Sequence, residues 1–283
     1  MTSSPPGRSR PRRFDWSNLR LRVLSAAVLA PLAVLAVWMG GLPFLLLVWG
    51  AIGLLALEWA TMSAPETPIR TAAVMAIMLL VAAVAVKAGY FKSAWLAVAV
   101  GAAVVWVVAM IWRRDDGPMH EAFGVLYLGV PMVALLWLRS GAQGRDWTLM
   151  LLAATWSSDI GAYAGGTLIG GPKLWPRISP KKTWSGFAVG IAAAMVAAEL
   201  VAMAMPHQGG LAISWAWAAG LVVGLATMAG DLCESMLKRS FGVKDSGSLI
   251  PGHGGLLDRV DGLMFAALAM AAVRFALRFG VAF

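Results

Sequence analysis

The sequence predicts an all-α, polytopic integral membrane protein with about nine transmembrane helices. Of its 283 residues, 60% are hydrophobic and only 13% are charged, whereas a soluble domain carries about 25% charged residues. The apolar residues fall into successive runs of about 18 to 22 residues, long enough to cross a hydrocarbon core about 30 Å thick. These runs lack strand-like alternation, and helices satisfy their own backbone polar groups in lipid, so each run is expected to be a helix.

The predicted spans divide the chain into three parts. They are expected at 23–40, 43–62, 70–88, 93–112, 121–138, 147–169, 186–205, 211–231 and 261–280. Residues 1–22 form a basic N-terminal tail, and residues 23–145 form an N-terminal group of helices with few polar side chains. Residues 146–283 contain most of the polar side chains, so they are expected to be a catalytic or transport region, with two polar loops at 170–185 and 232–258.

Basic residues are distributed unevenly between the two sides of this topology. With a cytoplasmic N-terminus, 17 of the 23 Lys and Arg residues fall on the cytoplasmic side and 6 on the other. Because cytoplasmic loops are enriched in these residues, the N-terminus and both polar loops are expected in the cytoplasm. The active site would then lie at the cytoplasmic ends of the C-terminal helices. The net charge of +9 indicates contact with membrane lipids of anionic headgroup rather than with nucleic acid.

Residues 231–261 are unusually dense in ionisable side chains. They include five of the 14 acidic residues and lie between two apolar runs; charge is costly beside lipid, so such a cluster indicates a functional site. If the last helix begins near residue 257, Asp258 and Asp261 share one face, and an antiparallel neighbour brings Asp231 beside them. Converging carboxylates suit Mg²⁺. Simple pairing of these aspartates with neighbouring Lys and Arg side chains is the alternative, and residue types alone do not choose between the two.

Between Asp231 and Asp258, the sequence contains several basic residues and glycines. Lys238, Arg239 and Lys244 supply positive charge, and the glycines around His253 allow backbone amides to approach a ligand closely. This combination suits phosphate oxygens. The alternative for the basic pair is that the side chains extend to lipid headgroups.

The loop at 170–185 contains four cations and no acidic residue. Ser179, Lys181, Lys182 and Thr183 stand just before the next predicted helix, whose N-terminus would itself attract an anion. The alternative to phosphate binding is that the loop is basic only because cytoplasmic loops are enriched in Lys and Arg.

Three further carboxylates lie inside predicted spans. Asp159 is surrounded by apolar residues and needs a cation or a hydrogen-bonding partner there. Glu58 and Glu199 have no polar neighbours in sequence, so we expect both to pack or pair helices.

The residues of this region resemble a known family, the phosphatidate cytidylyltransferases, also called CDP-diacylglycerol synthases. The resemblance rests on Ser235-x₂-Lys238-Arg239-x₄-Lys244-Asp245-x₇-His253-Gly254-Gly255-x₂-Asp258-Arg259-x-Asp261. Residues 157–166 and 179–186 are similar to central segments of the same family, in the expected order. The chain departs from the family at Ser185, where Glu is usual, and at Ser158 or Ile160, where Thr is often found.

The resemblance implies transfer of CMP from CTP to phosphatidate, giving CDP-diacylglycerol and pyrophosphate. It implies that Asp231, Asp258 and Asp261 bind Mg²⁺, with a second cation left open. The catalytic residues that it implies are Lys238, Arg239, Lys244, Asp245, His253 and Arg259, and the substrate-binding residues are Ser179, Lys181, Lys182, Thr183 and Asp159. The expected partners are CTP, phosphatidate and membrane lipids, and a homodimer is left open.

Two other functions remain as alternatives. A CTP-dependent lipid kinase of the dolichol kinase type shares parts of this architecture. A transporter would spread its charges across the midplane of several spans and show symmetry between its halves. The charges of this chain instead cluster in two loops on one side, and no internal repeat is visible.

Overall fold

The computed structural model of the protein describes residues 16–112, 117–141, 143–205, 213–249 and 254–278. Within these residues the chain forms nine α-helices, one at each predicted span and in the predicted order. They are α1 (Trp16–Met39), α2 (Gly41–Ser63), α3 (Pro68–Lys87), α4 (Phe91–Trp112), α5 (Pro118–Ser140), α6 (Gly144–Leu168), α7 (Trp184–Ala204), α8 (Ile213–Ser240) and α9 (Leu257–Arg278). The predicted all-α architecture is confirmed. Most of the predicted basic tail, and His253, lie outside the described residues.

Seven of these helices are long and apolar enough to cross a membrane: α2, α3, α4, α5, α7, α8 and α9. In α1 the apolar helical stretch is shorter, from Leu24 to Met39. In α6 the 25 residues include Arg145, Asp146 and Asp159, which lower its hydropathy. The protein is therefore a multi-pass membrane protein.

Successive helices run antiparallel: Gly220 and Gly224 of α8 lie against Met195 and Ile191 of α7, and Gly230 of α8 lies against Asp261 of α9. Consequently α2, α4, α6 and α8 finish at the same end of the bundle at which α1, α3, α5, α7 and α9 begin, and we call this the site end. At the opposite end two guanidinium groups satisfy the last carbonyls of helices. Arg139 Nε donates to the oxygen of Val37 at 2.8 Å, and Arg274 Nη1 donates to the oxygen of Leu138.

Small residues bring α6 close to α7. A Cβ atom at Gly190 would lie 2.9 Å from the backbone oxygen of Ser158, and one at Gly161 would lie 3.0 Å from that of Val189. Membrane helices commonly pack through such small residues because their backbones can then approach closely. The tight pairing places Gly166 of α6 beside Thr183, the residue that leads into α7.

The structure adds detail to one polar loop and corrects the bounds of the other. The loop at 170–185 contains an antiparallel hairpin of β1 (Lys173–Trp175) and β2 (Ser179–Thr183). The helix expected to end at 231 continues to Ser240, roughly 13 Å further at 1.5 Å per residue. It continues because Cys233 and Leu237 pack against the core while Glu234 and Lys238 pair one turn apart.

Candidate active site

The last two helices cross closely at the site end. A Cβ atom at Gly230 would lie 2.5 Å from the backbone oxygen of Asp261, and one at Gly262 would lie 3.2 Å from Asp231 Oδ1. Asp231 and Asp261 therefore lie beside one another, as the antiparallel pairing predicts. Asp159 and Glu234 are also within electrostatic range of Asp261, so α6, α8 and α9 together supply four carboxylates.

Lys238 forms ion pairs with two acidic side chains. Its Nζ lies 2.7 Å from Glu234 Oε2 and 2.5 Å from Asp258 Oδ1. The exposed fractions of the three side chains are 13% for Lys238, 2% for Glu234 and 8% for Asp258. Buried charges of this kind require partners, and Asp258 also accepts from the backbone N–H groups of Gly255 at 3.0 Å and Ser246 at 3.2 Å. The sequence left open whether Asp258 binds a metal ion or pairs with a neighbouring cation. In this structure it pairs with Lys238.

A second lysine joins the hairpin to α8. Lys182 Nζ of β2 donates to Asp231 Oδ2 at 2.7 Å. The next residue, Thr183, caps α7, because its Oγ1 accepts from the N–H of Gly186 at 3.1 Å. Ser185, where the resembled family usually has Glu, donates to the backbone oxygen of Gly170 and so closes the base of the hairpin.

Glu58 lies at this site although it comes from α2. Its two carboxylate oxygens accept from the N–H groups of Leu256 and Leu257, each at 2.7 Å. These donors belong to the start of α9, where a carboxylate both satisfies free N–H groups and interacts favourably with the helix dipole. Glu58 thus pairs α2 with the start of α9, as expected, and it does so through backbone N–H groups.

A cavity connects the charged side chains of the hairpin, α6, α8 and α9 to the apolar part of the bundle. Its volume is about 1210 Å³. The sequence-predicted residues that line it are Asp159, Lys181, Lys182, Thr183, Asp231, Lys238, Asp245, Asp258, Arg259 and Asp261. The rest of the lining includes apolar side chains of α1, α2 and α5, such as Leu29, Val48 and Met132. The cavity therefore has a charged part and an apolar part.

Three other predicted residues lie away from this cavity lining. Ser179 stands in β2 opposite Trp175 of β1. Arg239 is exposed, and its Nη1 donates to the oxygen of Val243 at 3.2 Å, which satisfies backbone just beyond α8. Lys244 is exposed.

A metal ion at these carboxylates would need several oxygen donors that converge on one point. Within the described ranges, no group of three or more His, Cys, Asp or Glu side chains is already arranged to hold a metal, and lysines contact Asp231 and Asp258 instead. The chemistry of the donors nevertheless fits Mg²⁺, which takes oxygen ligands and commonly uses one or two carboxylates plus substrate phosphates. One oxygen of Glu234, Oε1, is buried and has no hydrogen-bonding partner among the described residues.

Sequence reasoning missed the parts played by Glu234 and Glu58. For Glu234 a signal exists, since it stands four residues before Lys238 and would face it on a helix. For Glu58 no local signal exists, because its backbone partners lie 198 and 199 residues further along the chain.

Comparison with known proteins agrees with these features. The model of the cytidylyltransferase family matches residues 20–277. A phosphatidate cytidylyltransferase of Brucella suis biovar 1 (strain 1330) is 39% identical over 255 residues, covering 89% of this chain and 91% of the relative. One of Rickettsia bellii (strain RML369-C) is 31% identical over 257 residues, covering 89% and 88%. One of Mycobacterium bovis (strain ATCC BAA-935 / AF2122/97) is 42% identical over 131 residues, covering 45% and 40%.

The match to the family extends over nearly all of the nine described helices, including those that build the charged part of the cavity. The resemblance seen in the polar segments of the sequence is confirmed. The chain belongs to the cytidylyltransferase family and is a nucleotidyltransferase enzyme.

Proposed function

We propose that the protein transfers CMP from CTP to phosphatidate, giving CDP-diacylglycerol and pyrophosphate. The observation that carries this proposal is a continuous cavity among the described residues, with an apolar part between α1, α2 and α5 and a charged part at the site end. Phosphatidate has the same division, with two acyl chains and one phosphate. The relatives named phosphatidate cytidylyltransferase support the same substrate.

The charged part of the cavity suits two phosphorylated substrates. Lys181 and Lys182 enter it from the hairpin, Lys238 from α8 and Arg259 from α9. These cations would hold the lipid phosphate and the triphosphate close together despite their like charges. Positioning and charge neutralisation supply most of the catalysis in phosphoryl transfer.

The reaction itself is an in-line displacement. An oxygen of the phosphatidate phosphate forms a bond to the α-phosphorus of CTP, while the bond from that phosphorus to the bridging oxygen of the β-phosphate breaks. Pyrophosphate leaves with that bridging oxygen and its electron pair. The attacking phosphate is already ionised near pH 7, so no residue needs to act as a general base. Lys238 and Arg259 would stabilise the negative charge that develops on the leaving group.

Mg²⁺ is part of this proposal. Asp231, Asp258 and Asp261 would hold it, with Glu234 as a further oxygen donor beside them. When bound, the ion would neutralise phosphate charge and orient the phosphates for displacement. Lys182 and Lys238 occupy the carboxylates of Asp231 and Asp258 in this structure, so we expect these lysines to turn toward phosphate oxygens when substrates enter.

We further propose that the site end faces the cytoplasm. The uneven distribution of Lys and Arg residues supports this orientation. It would place the charged part of the cavity on the side of the membrane where CTP is found. Maleimide labelling of a single cysteine introduced at Lys244, after Cys233 is replaced by serine, tests this in inside-out and right-side-out vesicles. Labelling from the extracytoplasmic side would contradict it.

The experiment that tests the function follows two labelled positions of CTP. Purified protein is incubated with phosphatidate, Mg²⁺ and CTP labelled at either the α- or the γ-phosphate. Cytidylyl transfer puts the α-label into lipid and the γ-label into pyrophosphate. A CTP-dependent lipid kinase would instead put the γ-label into lipid, and that result would overturn the proposal, as would the absence of label in lipid from either position.

A further inference from the structure

A buried carboxylate from the N-terminal helices anchors the loop of the candidate active site. Glu58 lies near the end of α2 and is only 3% exposed. Besides the two bonds from the N–H groups of Leu256 and Leu257, it accepts a longer contact from Ser246 Oγ at 3.4 Å. Its partners therefore come from both arms of the loop that joins α8 to α9.

Two glycines let this loop wrap around the carboxylate. A Cβ atom at Gly247 or at Gly255 would lie 2.9 Å from Glu58 Oε1 in either case. A side chain at these positions would push the carboxylate away from the backbone donors that it holds. The described residues of the loop therefore pack closely around the carboxylate of Glu58.

The neighbouring residue of α2 holds the start of the same loop. The ring of Trp59 packs edge-on against that of Phe241, with centroids 5.7 Å apart, and its Nε1 donates to the oxygen of His120 at 3.0 Å. Phe241 directly follows the last residue of α8. The end of α2 therefore fixes the loop where it leaves α8 and again where it enters α9.

The part of the loop that Glu58 holds is also the part that presents donors to Asp258. Asp258 accepts from the N–H groups of Ser246 and Gly255, and both of these residues contact or approach Glu58. Asp258 itself is the second residue of α9, directly after Leu257. A shift of the loop away from Glu58 would therefore move Asp258 and the adjacent Arg259 within the cavity.

We propose that Glu58 is a positioning residue for the active site. It does not line the cavity and touches no reacting group; it acts by ordering the loop and the first turn of α9, which carry Asp258 and Arg259. The catalytic consequence rests on the proposed function, whereas the structural consequence does not.

Hydrogen–deuterium exchange of the purified protein without substrates tests the structural consequence. Glu58→Gln keeps the shape but replaces one acceptor oxygen by an amide donor, so one of the two N–H groups at the start of α9 loses its partner. We expect peptides covering 246–257 to exchange about tenfold faster than in the wild type. Glu121→Gln is the matched control, because Glu121 is equally buried and its carboxylate bonds Thr71 of α3; it should leave that segment unchanged.

Activity measurements test the catalytic consequence. With CMP transfer as readout, Glu58→Gln should lower kcat about tenfold or more while Glu121→Gln does not, and Glu58→Asp, which keeps the charge, should recover part of the loss. Equal exchange of residues 246–257 in Glu58→Gln and wild type would overturn the proposal, and so would faster exchange with unchanged kcat. If neither Glu58 variant folds in detergent, Glu58 is a folding residue and the proposal fails. If the wild type transfers no CMP but the loop still loosens in Glu58→Gln, the proposed function fails and the positioning role stands.

Discussion

Replacing Lys238 by methionine should destabilise the protein strongly. The ammonium group of Lys238 is the shared partner of Glu234 and Asp258, at 2.7 and 2.5 Å. Methionine fills much of the space of the lysine stem but brings no charge. The substitution would leave two acidic side chains facing one another without a cation between them.

The size of the effect follows from burial. All three side chains of this group are largely buried, with Glu234 only 2% exposed. Removing one partner of a buried ion pair costs about 3–5 kcal/mol, because an uncompensated charge stays behind. We therefore expect a loss of about 3–5 kcal/mol in the free energy of unfolding.

The assay is a reversible unfolding titration with sodium dodecyl sulfate in mixed micelles, followed by tryptophan fluorescence. Arg145→Met is the control, because Arg145 pairs with Asp146 at 3.1 Å but is 41% exposed. Exposed pairs contribute about 0–1 kcal/mol, so this variant should unfold close to the wild type. A loss in Lys238→Met no larger than that in Arg145→Met would refute the description of Glu234, Lys238 and Asp258 as a buried, mutually dependent group.

Three further results are expected. Gly255→Ala should cost about 1–3 kcal/mol of stability and lower CMP transfer, since its Cβ would lie 2.0 Å from Ser246 Oγ and 2.9 Å from Glu58 Oε1; Gly53→Ala, with no atom within 4 Å of its Cβ, is the control without crowding, and equal effects would contradict the crowding. Thr183→Ala should cost about 1 kcal/mol in thermal unfolding, because Gly186 loses its capping acceptor, and Thr183→Ser should restore it. Chelation with EDTA should stop CMP transfer and added Mg²⁺ should restore it; transfer that persists in EDTA would argue against a metal at the carboxylates.

The helices could be predicted from the sequence because lipid imposes a minimum length on every apolar run. The end of α8 is an instructive exception. Hydropathy falls after Asp231, yet the helix continues to Ser240, since Glu234 and Lys238 neutralise each other along one face. Pairing at four-residue spacing would have indicated this continuation better than hydropathy.

The candidate site was only partly predictable. The spacing of Asp258 and Asp261 and the antiparallel pairing of α8 with α9 correctly bring Asp231 beside Asp261. The sequence does not determine which cation forms an ion pair with each carboxylate, because Lys182 reaches Asp231 from a hairpin 49 residues away. Nor does it connect Glu58 with the start of α9, since long-range contacts leave no local pattern.

In the proposed reaction, the carboxylates and lysines at the charged part of the cavity carry cytidylyl transfer. The most direct measurement is single-turnover incorporation of label from the α-phosphate of CTP into lipid by the wild type, Asp231→Asn and Glu199→Gln. Glu199 is a carboxylate of α7 outside the cavity lining and serves as the matched control. We predict wild-type rates for Glu199→Gln and a fall of about a hundredfold or more for Asp231→Asn. A folded Asp231→Asn protein that transfers label as fast as the wild type would show that this carboxylate has no part in the reaction.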